Sequence, residues 1–148
     1  MDRHRAYRSI TRAVLGEYLD RKASLSTLPE RIATERARLT AIRSSSAESQ
    51  MISGGGGNVR QERDTAILAE IDRLTNALDE AQREVELIER CLAQLTKEQR
   101  KTLGLMDINR RYGAVEELCN LLGYERSRVY DIHNDALDRF AILYHGAR

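Results

Sequence analysis

The feature that most constrains the fold of this chain is an apolar stripe between residues 67 and 95. Apolar residues recur there at intervals of three and four: Ile67, Ile71, Leu74, Leu78, Ala81, Val85, Ile88, Leu92 and Leu95. This spacing is a heptad pattern sustained over about four heptads. A helix over residues 59–95 cannot bury the stripe alone, so the sequence predicts a helical hairpin or a coiled coil.

The best partner for this stripe within the chain lies upstream. Apolar residues keep a similar spacing there, with Glu35 as an interruption: Leu25, Leu28, Ile32, Leu39 and Ile42. Because Pro29 is tolerated in a first helical turn, we expect a helix over residues 28–43, after an earlier helix that ends near Lys22. Pairing within the chain and pairing between two copies both satisfy the stripe, and the sequence does not decide between them.

A loop is expected at residues 44–58, which read SSSAESQMISGGGGN. Glycine costs about 1 kcal/mol relative to alanine at each helical position, so four consecutive glycines oppose a helix. A phosphate-binding P-loop is excluded, because the glycines are followed by Asn58, Val59 and Arg60 rather than by lysine and a hydroxyl residue. We therefore interpret residues 1–95 as a hairpin arm that folds back at this loop.

The charge distribution agrees with such a hairpin. Residues 1–52 carry 10 basic and 6 acidic side chains, or +4, whereas residues 53–95 carry 5 and 9, or −4. Residues 96–148 carry 9 and 8, or +1. Opposite signs favour attraction between the first two segments, although both are equally well read as solvated helix faces.

No catalytic, metal or cofactor site is predicted. Cys91 and Cys119 lack the spacing of a zinc site or disulfide framework, and none of the histidines (His4, His133 and His145) has a ligand residue nearby in metal spacing. His133 is expected to be a half-buried or solvent-facing helix residue. With no long apolar run and no signal-like start, the sequence predicts a cytoplasmic, all-α protein that is not an enzyme and does not enter a membrane.

A second module is expected from residue 96 to residue 148. Thr96 and Gln99 have the spacing of a capping box, which starts the first of three short helices near residues 97–106, 115–122 and 125–143. Gly123 stands where a chain that leaves a helix needs a positive φ, and Tyr124 follows it to plug the turn. Leu118, Leu122, Val129 and Ile132 complete the apolar pattern of a helix-turn-helix, although two ordinary core helices joined by a glycine turn have the same pattern.

The segments LTKEQRKTLGLMDINRR and VEELCNLLGYERSRVYDIHNDALDRF carry a resemblance to a known family. They resemble region four of bacterial sigma factors and, more closely, the ArpU- and RinA-type late transcription regulators of phages. The matching positions are Leu95, Glu98 and Arg100, then residues 117–130, then Ala136, Leu137 and Phe140. The resemblance is specific over residues 95–144 and weak before residue 60.

The resemblance implies binding to double-stranded DNA through the helix that starts near Glu125, and contact with RNA polymerase. The groove-facing residues carried over from it are Arg126, Ser127, Tyr130, Asp131 and Asn134. Arg128 and Tyr130 are expected phosphate contacts. Arg110 and Arg111 are further candidates for such contacts, although they are equally well read as residues of a solvated loop. Helical spacing agrees, because these positions of the last helix oppose a core face of Val129, Ile132, Ala136 and Phe140.

Acidic residues on the same helix qualify this hypothesis. Asp131 stands where the family often has a basic or amide residue, so it either accepts a hydrogen bond from cytosine or weakens binding. Asp135 and Asp138 are expected to lie beyond the groove. The leading hypothesis is a phage or prophage regulator that forms a homo-oligomer through the arm. The alternatives are a small terminase-like packaging component and an adaptor that binds polymerase without specific DNA contact.

Overall fold

The computed structural model describes residues 3–49 and 57–146 of the protein, and in this part of the chain it contains helices and no strand. The elements are α1 (Arg3–Ser49), α2 (Gly57–Ala93), α3 (Lys97–Leu103), a π-helical turn (Gly104–Ile108), α4 (Ala114–Leu122) and α5 (Arg126–His145). The predicted all-α fold is confirmed. The helix predicted over residues 59–95 is α2.

The chain divides into two compact units. One contains Met1–Lys22 together with Arg83–Arg148, and the other contains Ala23–Gln82. Both long helices therefore contribute residues to each unit. This division differs from the parts expected from the sequence, residues 1–95 and 96–148, because the start of α1 and the end of α2 belong with the C-terminal helices.

In the unit Ala23–Gln82, α1 and α2 pair within the chain. Ile32 and Leu39 of α1 and Ile67 and Leu74 of α2 are all buried. Two ion pairs join the helices in antiparallel order: Arg31 with Glu70 at 3.7 Å and Arg43 with Asp64 at 3.4 Å. Such exposed pairs contribute at most about 1 kcal/mol each, whereas a buried aliphatic side chain contributes about 1.5–3 kcal/mol. The apolar stripe therefore determines the pairing, and the opposite charges assist it.

The same pairing occurs in the other unit, where the stripe ends. The Tyr18 hydroxyl of α1 donates a 2.7 Å hydrogen bond to Glu89 of α2, and Lys22 Nζ lies 3.1 Å from the same carboxylate. Leu15, Tyr18, Val85 and Ile88 are buried in this region. Helix α1 thus pairs with the stripe of α2 within the chain, and Ile71, Leu78 and Leu92 of the stripe stay half-buried.

The end of α5 is tied to α2 by a further tyrosine. The Tyr144 hydroxyl donates to Glu84, and the Tyr144 ring stacks with Phe140 at 5.5 Å between centroids. Burial, and then the bond to Glu84, raises the pKa of Tyr144 to about 12. The α5 helix is thereby held against the arm through its own C-terminal turn.

Two expectations for the arm are wrong. The predicted break between Lys22 and residue 28 is absent, because α1 continues through Pro29 as one helix. The φ of proline suits a helix, and the burial of Ile32 and its neighbours offsets the missing hydrogen bond. The hydroxyls of Ser26 and Thr27 donate to the carbonyls of residues 23 and 24, which supports the turn before the proline.

The expected loop at residues 44–58 is also shorter than predicted. Helix α1 includes residues 44–49 and α2 begins at Gly57. Serine costs only a few tenths of a kcal/mol to about 0.7 kcal/mol in a helix, so a paired helix extends through a serine run. The rest of the predicted loop, residues 50–56, lies outside the described residues.

The C-terminal helices begin and end close to the predicted positions. The capping box is confirmed, with Thr96 Oγ1 accepting from the Gln99 backbone N–H at 3.2 Å and Gln99 Oε1 accepting from the Thr96 backbone N–H at 3.1 Å. Gly123 has the predicted positive φ, 71°. Tyr124 does not plug the turn, because its ring is 36% exposed and its hydroxyl instead donates to Glu98 at 3.0 Å.

None of the helices in the described residues is both long enough and apolar enough to cross a membrane.

Replacing Pro29 by alanine is expected to stabilise the protein. Proline in a helix interior is about 3 kcal/mol less favourable than alanine, and Pro29 is an exposed residue inside α1. We expect Pro29→Ala to raise the free energy of unfolding by up to about 3 kcal/mol in urea denaturation followed by circular dichroism. Thr34→Ala, at an exposed position of the same helix, is the control and should change stability by less than about 0.7 kcal/mol. Unchanged or lower stability of Pro29→Ala contradicts the continuous helix.

Candidate nucleic-acid interface

Helix α5 presents one face to the core and the other to solvent. Glu125 precedes it as the N-cap residue, without a capping hydrogen bond from its side chain. The buried face contains Val129, Ile132, His133, Ala136, Leu137, Phe140 and Ala141. The predicted contact residues lie outside that face: Arg126, Ser127, Arg128, Tyr130 and Asp131 are exposed, and Asn134 is half-buried. The exposure of the predicted residues therefore agrees with the helical spacing.

A cleft of about 1300 Å³ opens beside α5 in the unit that contains the C-terminal helices. Its walls are the first turns of α1, residues 106–116 and one side of α5. Five of the eight predicted site residues line it: Arg110, Arg111, Arg126, Tyr130 and Asn134. Ser127, Arg128 and Asp131 do not line it and lie on the exposed side of α5. The tertiary structure thus brings most of the predicted residues into one place.

Three further arginines of the cleft were not predicted. Arg5, Arg8 and Arg12 of α1 line it, at helical spacings of three and four residues. This spacing was visible in the sequence as a basic face near the N-terminus. What it did not reveal is the neighbour of that face, because α5 lies more than a hundred residues further along the chain. The sequence alone therefore does not predict that the α1 arginines form a wall of the cleft.

Two of these arginines are held by acidic residues beneath them. Both Nε and Nη2 of Arg8 donate to Asp138, at 2.8 Å each, in a bidentate pair between α1 and α5. Arg12 Nε donates to Asp107 Oδ1 at 2.9 Å. Asp138 was expected to lie beyond a DNA groove, and its observed contact is this ion pair. The acidic end of α5 is therefore partly neutralised within the protein.

His133 is buried, so the expectation of a half-buried or solvent-facing residue is wrong. Its Nε2 lies 2.6 Å from Asp107 Oδ2, and only 5% of each residue is exposed. Asp107 lies in the π-helical turn and contacts both Arg12 of α1 and His133 of α5. A buried acid is tolerated only with such partners, and here they join three elements at the floor of the cleft.

Arg126 also has internal partners. Its guanidinium pairs with Glu116 of α4, and hydrogen bonding to the Tyr130 hydroxyl and to Glu116 raises the pKa of Arg126. The pKa of the Glu116 carboxyl is lowered, first by the N–H of its own backbone at the start of α4 and then by Arg126. Arg126 therefore enters the cleft already paired with an acid.

The remaining three arginines of the cleft have no such acid. Arg5, Arg110 and Arg111 are exposed, and none of residues 3–49 and 57–146 forms an ion pair with them. Because Asp107, Glu116 and Asp138 each neutralise one of the other three arginines, the cleft keeps three uncompensated positive charges. A cleft with that surplus attracts anions.

Contacts with Tyr124 hold Arg128 at the exposed start of α5. The guanidinium carbon of Arg128 lies 5.8 Å from the centroid of the Tyr124 ring, within range of a cation–π interaction. The Tyr124 hydroxyl in turn donates to Glu98 of α3. Arg128 is therefore positioned on the outer side of α5, next to Ser127 and away from the cleft.

Metal chemistry has no support in the described residues, which contain no group of three or more His, Cys, Asp or Glu side chains arranged to hold an ion. Cys91 is a buried free thiol and Cys119 a half-buried one. The features of this unit that bear on binding are the cleft and the exposed side of α5.

No protein-family model, curated protein or solved structure matches the chain in the comparisons made.

Removing the Asp107 carboxylate is expected to destabilise the protein strongly. Asp107→Ala leaves the buried His133 nitrogen without its partner and disconnects α1 from the floor of the cleft. We expect the free energy of unfolding to fall by about 3 kcal/mol in chemical denaturation. Asp135→Ala, on the exposed side of α5, is the control and should stay within about 0.5 kcal/mol of the unchanged protein. Equal effects of the two substitutions contradict a structural role for the Asp107 network.

Proposed function

We propose that the protein is a phage or prophage transcription regulator that binds double-stranded DNA with α5 and the adjoining cleft. The observation that supports this most directly is the gathering of five predicted DNA contacts with three further arginines around one cleft. These residues come from three separate parts of the chain: the start of α1, the segment before α4, and α5. The arginines of α1 were not among the predicted DNA contacts, and their position in the same cleft therefore supports the proposal independently.

Phosphate contacts supply most of the affinity in this proposal. Arg5, Arg110 and Arg111 are exposed and carry no internal ion pair among the described residues, so they meet phosphate without first losing a partner. Each phosphate neutralised releases a counterion, which makes the binding weaken steeply as salt rises. These contacts position the protein on the duplex and do not read its sequence.

In this proposal, residues on the exposed side of α5 contact the base edges. Ser127 offers a hydroxyl group. Arg128, which the sequence predicted as a phosphate contact, lies on this same side and offers a guanidinium that can pair bidentately with guanine. Asp131 lies on the same exposed side and forms no hydrogen bond to another described residue. A carboxylate near phosphates lowers the affinity for every duplex, but it accepts a hydrogen bond from cytosine N4. Asp131 therefore contributes selectivity at a cost in affinity.

Pairing with α1 buries most of the heptad stripe within one chain. A homo-oligomer through the arm stays a prediction. Contact with RNA polymerase belongs to this proposal through the resemblance to sigma-factor region four alone. The DNA interaction is the part that the geometry of the cleft supports.

The first test is selection of bound sequences from a random duplex library, followed by fluorescence anisotropy on the selected duplex at several salt concentrations. We expect Arg111→Ala to weaken binding uniformly and to reduce the slope of log K against log salt by about one. Arg128→Ala should weaken binding and relax the preference at one base pair, worth about 1–3 kcal/mol of discrimination.

Arg139→Ala is the matched control, because Arg139 is an exposed arginine on α5 that does not line the cleft. It should bind the selected duplex as the unchanged protein does. If no duplex is selected, or if Arg111→Ala and Arg128→Ala both bind as tightly as Arg139→Ala, the proposal fails.

Glu116→Gln is expected to change binding in the opposite direction. The substitution removes a carboxylate from the cleft and releases Arg126 from its ion pair. We expect the affinity for the selected duplex to rise roughly fivefold, because a repelling charge is removed and a guanidinium is freed for phosphate. Anisotropy titration measures this gain, which damage to the fold cannot produce.

Glu117→Gln provides the comparison for this gain. Glu117 stands in the same first turn of α4 but does not line the cleft. It should leave the affinity within about twofold, since its charge is further from the arginines. An equal gain from both substitutions would show that net charge alone governs binding, and would remove the role given to the cleft.

A further inference from the structure

Tyr112 is the most exposed of the large hydrophobic side chains that the structure describes. Its relative exposure is 107%, at the rim of the cleft, directly after Arg110 and Arg111 in the segment 106–116. Gly113 follows with a φ of 77°, which turns the chain into α4. The turn therefore presents a fully exposed aromatic ring directly after two arginines in the chain. The DNA contacts proposed above make no use of this ring.

A second tyrosine faces the same cleft. Tyr130 of α5 lines it and is 43% exposed, and its hydroxyl is engaged with Arg126. Asn134 lies one helical turn further along α5 on the cleft side, where its amide both donates and accepts hydrogen bonds. Aromatic faces, free cations and an amide therefore share one concave surface.

The dimensions of the cleft limit what can enter it. Ligand sites in proteins commonly measure about 300–1000 Å³, and this cleft of about 1300 Å³ is only slightly larger. A rigid duplex meets the rim of such a cleft with its phosphates but cannot place its stacked bases inside. An unpaired strand can, because its bases turn outward from the backbone and expose their faces and edges.

The side chains present match the way proteins bind unpaired strands. Single-stranded nucleic acid is held by basic grooves that follow the backbone and by aromatic side chains on which bases stack. Stacking tolerates any base, because every base has a flat π-face. The amide of Asn134 has the donor and acceptor that a Watson–Crick edge requires.

We infer that the cleft holds a segment of single-stranded nucleic acid, with a base stacked on Tyr112 and phosphates bound by Arg5, Arg110 and Arg111. The inference rests on the proposed function only in assigning the cleft to nucleic acid. It goes beyond that function because the bound segment is unpaired. DNA and RNA strands share the chemistry of stacking and phosphate contact, and the experiment distinguishes them.

The test measures binding of the full chain to labelled oligonucleotides of about 12 residues, within the site sizes of roughly 4–16 nucleotides typical of single-strand binders. The probes are oligo-dT, oligo-rU and the duplex selected above. Tyr112→Leu should weaken strand binding by about tenfold, while Tyr112→Phe, which keeps the ring, stays within about twofold of the unchanged protein. The stronger of the dT and rU complexes shows which of the two strands is preferred.

Stacking has its own signal. With 2-aminopurine in the strand, binding should quench the probe's fluorescence, and Tyr112→Leu should reduce this quenching at saturation. The protein contains no tryptophan to interfere with that emission. Because Tyr112 is fully exposed, its substitution leaves the core intact, which circular dichroism verifies.

The duplex arm separates this inference from the proposed function. Tyr112→Leu should bind the selected duplex with unchanged affinity, since no duplex contact was assigned to the ring. The inference is overturned if neither strand binds, whether or not the duplex does, or if Tyr112→Leu and Tyr112→Phe bind strands equally. Failure of the duplex arm alone counts against the proposed function and leaves the strand site standing.

Discussion

The burial of the α2 stripe under α1 is the constraint on which the other features of this protein depend. A heptad stripe of this length cannot remain in water, and α1 supplies the apolar residues that cover it in both units. In the C-terminal unit, the pairing of Tyr18 and Lys22 with Glu89 places the first turns of α1 beside the short helices. Without this pairing, the three arginines at the start of α1 would have no fixed neighbour.

The floor of the cleft shows how a polar network completes what the apolar contacts begin. Asp107 is buried and accepts from Arg12 and His133, which belong to helices at opposite ends of the chain. Arg8 reaches Asp138 in the same way. These acids make the basic wall compatible with folding, because each neutralises one arginine at a cost that its hydrogen bonds offset. The arginines left over, Arg5, Arg110 and Arg111, are those at the solvent-exposed rim.

The fold gives the acidic residues of α5 different surroundings. Asp138 is a structural partner of Arg8, whereas Asp131 projects from the exposed side of the helix. The sequence placed the two acids on different parts of the helix, but it gave Asp138 no partner. Only the position of α1 shows that Asp138 supports the cleft while Asp131 remains exposed. A helix that turns acidic along its length is therefore not excluded from a polyanion.

The sequence by itself determined the helices, the Thr96–Gln99 capping box and the positive φ of Gly123, because all three depend on residues a few positions apart. Spacing also predicted which residues of α5 would be exposed. It misjudged Pro29, where the burial of Ile32 in the hairpin outweighs local preference, and the serine run, where serine costs too little to end a helix. It also misjudged His133, whose partner is Asp107. The tertiary structure alone decided the cleft, since Arg5 and Arg126 meet there from opposite ends of the chain. Local patterns carry no information about such encounters, because those are determined by how the arm packs.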